Sequence, residues 1–508
     1  MAGNTQINCN GGQGNSSDET KEDRLSSLPD DILIRILSHL SIYTALKTSR
    51  LSRRWRNLWK GLTNFTFSTR SMNFEALENI LYQLTSPNIR VFDISFRLHD
   101  DSEQFQSNFK AAESCFLHIL RRNVEVLKVR SDSYLAVPNC VFNCHTLVVL
   151  ELDGELDFEL KLDEENDLPL DGTTFNLPNL KKLRLRVDSC DYCLLRTLLK
   201  FCPLLEDLCL ILDLSGGDLL EIVAPNVKYL NIDNLVVTPY SDVVINAPKL
   251  AKIKICDMCS YYSFETIPTS LVEASVNFRS YDDTVWQVFD GQYHGWTVEG
   301  HALAMSKFFR GMSSVSSFKL KCFENIHMFL GSSNDGDMPV FHDLTFFKAK
   351  LDCLVGWEDL LCSLHCFPNL MHLELKISDT FFWGPSRWFA PIVLPDCLLS
   401  KLRKITLKEI WGIRDELKLI EFILNHANVL EELLIYVSTF IKEHGVNRLW
   451  KEYKFCEALF NLSRSFLTCK IVFSGVHINA ASDAFEKGLI GCQILTDYMT
   501  DTDSVTSD

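Results

Sequence analysis

A six-residue pattern of apolar side chains recurs along most of this chain. The pattern is apolar-x-x-apolar-x-apolar, as in LVVLEL from Leu147, LKKLRL from Leu180 and LEDLCL from Leu205. Thirteen copies begin between Ile89 and Leu430, and successive starts are 35, 23, 33, 25, 22, 23, 21, 44, 29, 26, 32 and 28 residues apart. Such a repeat predicts one stacked structure, because a single unit cannot bury its own apolar face.

The spacing within each copy predicts a short strand. Its last three positions alternate inward, outward and inward, and its first apolar residue enters the same core. The segments between copies show helical spacing in CLLRTLLKF from Cys193 and in EFILNHA from Glu421. We therefore predict an α/β fold: an irregular leucine-rich repeat solenoid of parallel strands with helical return segments over residues 87–393. The alternative, scattered strands of unrelated α/β domains, is disfavoured by the number of copies.

Residues 24–62 predict a compact module of three short helices. The apolar residues of LPDDILIRILSHL recur at helical spacing, and the two acids after Pro29 suit a first helical turn. A second helix is expected near Ala45, and a third begins near Ser52 and carries two Trp residues. Three such helices bury little surface by themselves. The module is therefore expected to pack against a neighbour or a partner.

Charge and composition exclude several classes of function. The net charge of −16 opposes general binding of nucleic acid, whose phosphates are also negative. The segment Thr44–Lys60 opposes this trend, because it carries six Lys or Arg residues and no acid. There is no apolar run of about 18 residues and no secretory signal, so we expect a cytoplasmic or nuclear protein with no membrane partner. Its 18 Cys residues are then expected to stay reduced.

The N-terminal module resembles a plant F-box. Its LP start at Leu28, its LS-x-RW core from Leu51 and its final LW at Leu58 occur together. Ser41 departs from the pattern, because relatives often have Pro there. Residues 394–436 and 459–473 are similar to the first and last parts of an FBD domain.

The chain as a whole thus resembles plant F-box proteins with leucine-rich repeats and a C-terminal FBD domain. The resemblance and the repeat pattern together divide the chain into a disordered N-terminus (1–22), an F-box (24–62), repeats (87–393), an FBD-like region continuing the repeats (394–473) and a C-terminal extension with a polar tail (474–508).

The resemblance implies a substrate-recognition adaptor of a cullin-RING ubiquitin ligase, which is not itself an enzyme. Its F-box would bind a Skp-type adaptor, and through it cullin and RING subunits, while its repeats would bind an unknown protein target. The residues predicted to contact the adaptor are Leu28, Pro29, Ile32, Leu33, Ile36, Leu37, Leu51, Trp55, Leu58 and Trp59. Aromatic residues in long gaps between repeats are the candidate target contacts: Trp286, Tyr293, Trp296, Phe382, Trp383 and Trp388.

Other interpretations remain open at this stage. The alternatives are an interaction scaffold that delivers no substrate, and a hydrolase or transferase hidden in residues 394–508. The pairs CDYC from Cys190 and CDMC from Cys256 would suit zinc, but their separation favours ordinary cysteines. The acidic stretch Glu151–Asp171 lacks the calcium-loop pattern. We find no catalytic motif, and we expect no cofactor or metal.

Overall fold

One long sheet connects the N-terminal helices with the C-terminal part of the chain. Among the residues that the structure describes, sixteen strands belong to this sheet, and three further strands form a second, smaller sheet. The structure is a computed structural model that describes residues 25, 27–68, 74–96, 114–158, 174–188, 192–213, 219–234, 242–257, 260–278, 306–321, 339–351, 357–377, 393–438, 446–462 and 469–482.

The strands of both sheets are short, as the repeat pattern predicts. Their bounds are β1 (Asn64–Ser68), β2 (Val91–Phe96), β3 (Val126–Val137), β4 (Val149–Phe158), β5 (Lys182–Asp188), β6 (Asp207–Asp213), β7 (Leu219–Val223), β8 (Tyr229–Asn234), β9 (Asp242–Asn246), β10 (Lys252–Asp257), β11 (Tyr261–Thr266), β12 (Glu273–Phe278), β13 (Ser317–Lys321), β14 (Phe346–Leu351), β15 (His372–Ile377), β16 (Lys404–Ile410), β17 (Glu432–Val437), β18 (Lys470–Ser474) and β19 (Asn479–Ala481).

The helices lie in the N-terminal module and between the strands. The α-helices are α1 (Asp30–Leu37), α2 (Ile42–Thr48), α3 (Phe74–Gln83), α4 (Tyr192–Lys200), α5 (Trp357–Ser363), α6 (Asp396–Ser400), α7 (Arg414–His426) and α8 (Val446–Phe460), and the 3-10 helices are Trp55–Gly61, Asn139–Asn143 and Leu364–Cys366. Helical turns are also present at 114–120 and 306–311. Among the described residues, no helix is long and apolar enough to cross a membrane.

Each of the thirteen repeat copies forms a strand of the long sheet. The strand order is β1-β2-β3-β4-β5-β6-β8-β10-β12-β13-β14-β15-β16-β17-β18-β19, and neighbours are parallel except for the antiparallel pair β18 and β19. The copies are in register, since Leu150 lies opposite Leu183, which lies opposite Leu208. Their inward side chains are fully buried in one continuous core. The predicted solenoid of parallel strands is thus confirmed.

The return segments are of two kinds. Those at α4 and α7 are helical, as their spacing predicts, and Leu195 and Leu198 of α4 are buried against the sheet. Between β6 and β12 the return segments instead contain strands β7, β9 and β11, which form the second parallel sheet. The prediction of helical returns is therefore incomplete here. Alternating burial in LLEIV and DVVIN shows the period of two that favours a strand over a helix.

The long sheet also begins earlier than the first copy that we identified at Ile89. Strand β1 pairs with β2, and its side chains Phe65 and Phe67 are buried. The same six-residue pattern is present here as LTNFTF from Leu62. The sequence therefore contained the signal for this strand, and it attaches the helical module directly to the solenoid.

Several cysteines are part of this core. Burial raises the pKa of the Cys202, Cys366 and Cys397 thiols to about 12. These side chains therefore stay protonated near neutral pH and act as small apolar groups. Cys190 and Cys259, one member of each Cys-x-x-Cys pair, lie outside the described residues.

Candidate functional site

The three short helices at the N-terminus, residues 27–62, form what we call the hook module. Leu33 and Leu37 of α1 face inward and are buried. The 3-10 helix buries Trp55, Leu58 and Trp59 on the same side of the module. Five of the ten residues predicted to contact an adaptor therefore fill the core of this chain.

A second apolar stripe runs along the outside of α1. Ile32 and Ile36 are four residues apart and lie on one face of the helix, and both are exposed. Further exposed apolar side chains follow in the hook module, and Leu51 has 69% of its surface accessible. We call these residues the exposed apolar set: Ile32, Ile36, Leu40, Tyr43 and Leu51. Of the other predicted contacts, Leu28 is half-buried and Pro29 is exposed.

The basic block in this module has two roles in the structure. Arg54 is held by its own chain, since its Nε donates to Asp30 Oδ1 at 2.8 Å and its Nη2 donates to the Leu28 carbonyl oxygen. This bond network ties the 3-10 helix to the start of α1. Four other basic residues of the block are exposed on the surface: Lys47, Arg50, Arg53 and Arg56.

The hook module is joined to the solenoid through several contacts. Leu62, directly after the 3-10 helix, is fully buried, and strand β1 follows it into the sheet. The Lys60 carbonyl oxygen accepts hydrogen bonds from the Thr85 N–H at 2.9 Å and the Thr85 hydroxyl at 3.1 Å. At Gly61 an added Cβ would lie 2.9 Å from Ile34 Cδ1, so the helices approach closely here. These contacts fix the orientation of the hook module on the sheet.

The second candidate surface is the polar face of the long sheet, formed by the strand side chains that point away from the core. On β3 to β6 this face carries paired charges. Lys128 Nζ lies 3.0 Å from Glu151, and Arg184 Nη2 lies 3.1 Å from Asp153. Glu151 and Asp153, the first acids of the acidic stretch, are thus neutralised by basic residues on neighbouring strands. The six aromatic residues predicted to contact a target, from Trp286 to Trp388, lie outside the described residues.

The C-terminal segment contains a buried carboxylate at the start of α7. Glu416 accepts hydrogen bonds from the backbone N–H groups of Gly412 at 2.7 Å and Ile413 at 2.9 Å, and also from that of Trp411. Burial nevertheless raises the pKa of Glu416 to about 7. In the folded chain this carboxyl group takes up a proton at a higher pH than in the unfolded chain. Its contribution to stability is therefore full at low pH and is lost as the pH rises through about 7.

The substitution Glu416→Gln tests this linkage. The native chain should gain stability as the pH falls from about 7.5 to about 5, and the Gln variant should lose about 1–3 kcal/mol of that gain, because it carries no titrating group there. Denaturant unfolding at the two pH values measures the difference. Glu421→Gln, at an exposed position of the same helix, is the control. An unchanged pH dependence in the Glu416 variant would contradict the assignment.

Comparisons with known proteins agree with this architecture. The family model of the F-box domain matches residues 25–67, the LRR repeats model of FBD-associated F-box protein At5g56370 matches residues 116–274, and the FBD model matches residues 391–435. The first match covers the hook module and β1. The second lies within the repeats, and the third includes α6, β16 and α7.

Whole proteins are also similar to this chain. FBD-associated F-box protein At4g10400 of Arabidopsis thaliana is 26% identical over 89% of this chain and 100% of its own length. F-box/FBD/LRR-repeat protein At1g78750 of the same plant is 26% identical over 83% of this chain and 91% of its own length. The chain therefore has the F-box, leucine-rich repeat and FBD architecture of the plant F-box/FBD/LRR-repeat proteins, the family that its sequence resembles.

Proposed function

We propose that this protein is the substrate-recognition adaptor of a cullin-RING ubiquitin ligase. The observation that carries the proposal is the double apolar surface of α1. Its inner stripe, Leu33 and Leu37, fills the hook module, while its outer stripe, Ile32 and Ile36, is exposed. F-box domains typically bind Skp-type adaptors, and this helix lies within the F-box match. The exposed apolar set is the surface that we assign to that contact.

The physical chemistry of the hook module supports such a contact. Exposed apolar side chains gain about 25 cal/mol for each Å² of apolar surface that a partner removes from water. Large apolar side chains of this kind often dominate helix-packing interfaces. The exposed basic residues nearby, Lys47, Arg50, Arg53 and Arg56, favour a partner with an acidic surface and speed its association. The buried residues Trp55 and Trp59 would act indirectly, by holding α1 in place.

The proposed mechanism is positional rather than chemical. The hook module would hold the chain on the ligase, and the solenoid would hold the target. Because the hook module is hydrogen-bonded and packed onto the first strands, the target would be kept at a defined place relative to the ligase. Holding two reactants together in this way increases the rate of transfer by raising their effective concentration. Ubiquitin transfer itself would be performed by other subunits.

The substitution Ile36→Glu is expected to weaken binding of a Skp-type adaptor by a factor of about ten or more, since it places a charge in the apolar contact. Ile36 is 40% exposed, so the hook module should stay folded. Co-purification of the adaptor with the full chain and a titration of the purified pair measure the loss. Val429→Glu is the matched control, because Val429 is equally exposed at 40% and lies in the FBD-like region.

Two outcomes of this experiment bear on the proposal in different ways. Undiminished adaptor binding by a folded Ile36→Glu variant would refute the assigned contact. Recovery of the adaptor without any cullin from cells expressing the native chain would favour the alternative, an F-box scaffold that does not deliver substrates. Recovery of both, and loss of both in the Ile36 variant, is the result expected of a ligase adaptor.

A further inference from the structure

One half of the polar face carries an excess of positive charge. On β13 to β16, the side chains that point away from the core include seven lysines but only two glutamates, Glu374 and Glu409. The whole chain has a net charge of −16, so this surface runs against the overall charge. The seven residues are Lys319, Lys321, Lys348, Lys350, Lys376, Lys404 and Lys408.

Four of these lysines form a row across successive strands. Lys350 lies in register with Lys376, and Lys376 lies in register with Lys408. Lys321 follows Leu320, whose partner Ala349 directly precedes Lys350, so it extends the same row onto β13. We call these four residues the lysine row. Neighbouring strands are about 4.8 Å apart, so the row spans roughly 15 Å.

Carboxylates pair with five of these seven lysines, two of them from the flanking strands: Lys319 Nζ lies 2.6 Å from Glu273 on β12, and Lys404 Nζ lies 2.7 Å from Glu432 on β17. The carboxylate of Glu374 is shared between Lys348 at 2.8 Å and Lys408 at 2.6 Å, and Glu409 reaches Lys376 only at 3.8 Å. Within the described residues, Lys321 and Lys350 have no ion-pair partner. Like charges on neighbouring strands are unfavourable, because their repulsion is not offset by packing. The lysine row therefore keeps positive charge at Lys321 and Lys350 that no neighbouring carboxylate among the described residues offsets.

The opposite half of the same face provides an internal comparison. On β3 to β6 the basic residues alternate with acids, and Lys182 lies within 4 Å of both Glu151 and Asp207. Arg130 is likewise paired with Asp93 at 2.6 Å. A solenoid of this sequence thus readily builds a neutral polar face. On β13 to β16, in contrast, Lys321 and Lys350 lie in one row without an ion-pair partner among the described residues.

We infer that the lysine row binds an extended acidic segment of the target protein. This inference rests on the proposed function, because it assigns the target to a surface of the solenoid. An extended chain rises about 3.3 Å per residue, so roughly five residues would span the row, with carboxylates on alternate positions facing it. The strongly negative charge of the whole chain opposes the approach of a long nucleic acid, whereas a short acidic segment is attracted locally.

The experiment uses the full chain together with its adaptor and a fluorescein-labelled ten-residue peptide of alternating glutamate and serine as the probe. We expect saturable binding that weakens with salt. The double substitution Lys350→Gln with Lys376→Gln should weaken it by a factor of about ten or more. Lys128→Gln with Lys182→Gln removes the same charge from the neutral half of the face, and should change the affinity less than about twofold.

Each remaining outcome has a defined meaning. An equal loss of peptide affinity in both double variants would overturn the inference, because it would reflect net charge alone. Failure of the native chain to bind the peptide would also overturn it. If a ten-nucleotide single-stranded DNA bound more tightly than the peptide, and did so through Lys350 and Lys376, the ligand of the lysine row would be a nucleic acid instead of an acidic protein segment. An unchanged or raised melting temperature of the Lys350/Lys376 variant would support the inference, because it would show that these lysines do not stabilise the fold.

The inference and the proposed function fail separately. Recovery of adaptor and cullin with the native chain reports on the ligase role and does not involve the lysine row. Peptide affinity reports on the row and requires no cullin. Normal recovery of the ligase subunits with no peptide binding would therefore overturn only the acidic target segment.

Discussion

Replacing Arg448 by Met is expected to lower the free energy of unfolding of the C-terminal part of the solenoid by about 3–5 kcal/mol. Arg448 Nε lies 3.3 Å from Glu452 Oε1 on α8, and both side chains are buried. Arg448 Nη2 also donates to the Ser438 carbonyl oxygen at 2.6 Å, at the end of β17. The Met variant would leave the Glu452 carboxylate buried without its cation, which is the costly half of breaking such a pair.

The Glu452 carboxylate also holds the turn between β18 and β19. It accepts hydrogen bonds from the N–H groups of Val476 at 3.1 Å and His477 at 2.9 Å. At Gly475 an added Cβ would lie 2.5 Å from Glu452 Oε2, so the turn closes tightly around the carboxylate. The last strands of the sheet should therefore open together with α8 in the Met variant.

Hydrogen exchange of residues 446–482 and denaturant unfolding measure this effect. The double variant Arg448→Met with Glu452→Gln should recover part of the loss, because Gln keeps an acceptor for the turn and carries no charge. Lys454→Met, at an exposed position of the same helix, is the control for the loss of a positive charge. A double variant no more stable than Arg448→Met would contradict the role of the unpaired carboxylate.

Trp55→Ala is expected to unfold the hook module and to abolish adaptor binding, while the solenoid stays folded. Trp55 is only 8% exposed, and truncating a buried Trp to Ala costs about 3–5 kcal/mol. The hook module is small and has few other buried side chains to compensate. The repeat strands from β2 onward have their own core, so they should not unfold with it.

Hydrogen exchange of residues 27–62, compared with residues 126–158, tests this separation of the two parts. The hook should exchange rapidly in the Trp55 variant, whereas β3 and β4 should keep their protection. Trp450→Ala is the matched control, because Trp450 is 59% exposed and lies in α8, outside the hook module. Full adaptor binding by Trp55→Ala would show that the contact does not require the module to be folded.

The repeat strands could be predicted from the sequence because side-chain alternation is a local property. Every copy of the six-residue pattern forms a strand, since its alternate residues must face one core. The copy at Leu62, which directly follows the hook module, carries the same signal and forms β1. The second sheet was harder to predict, because β7, β9 and β11 lie in return segments that gain their partners from other repeats.

Which side chains are exposed on the surface depends on contacts between segments that are far apart in the sequence, and local sequence patterns do not specify those contacts. Helix α1 is apolar along both Ile32–Ile36 and Leu33–Leu37, and the sequence does not say which stripe the chain buries. Packing of the 3-10 helix against Leu33 and Leu37 decides this, and it leaves Ile32 and Ile36 exposed. The tertiary structure thus decides which of the predicted adaptor contacts are buried in the core and which are exposed on the surface.

The sequence by itself therefore determined the repeating strands, their parallel stacking and the helical hook. Each of these follows from the spacing of apolar residues within a short segment of the chain. The tertiary structure decided the exposed apolar set and the lysine row. Lys321 and Lys408 are far apart in the chain, and only the register of four stacked strands places them in one row. Lysines from separate repeats form one positively charged surface because strand pairing places neighbouring strands about 4.8 Å apart.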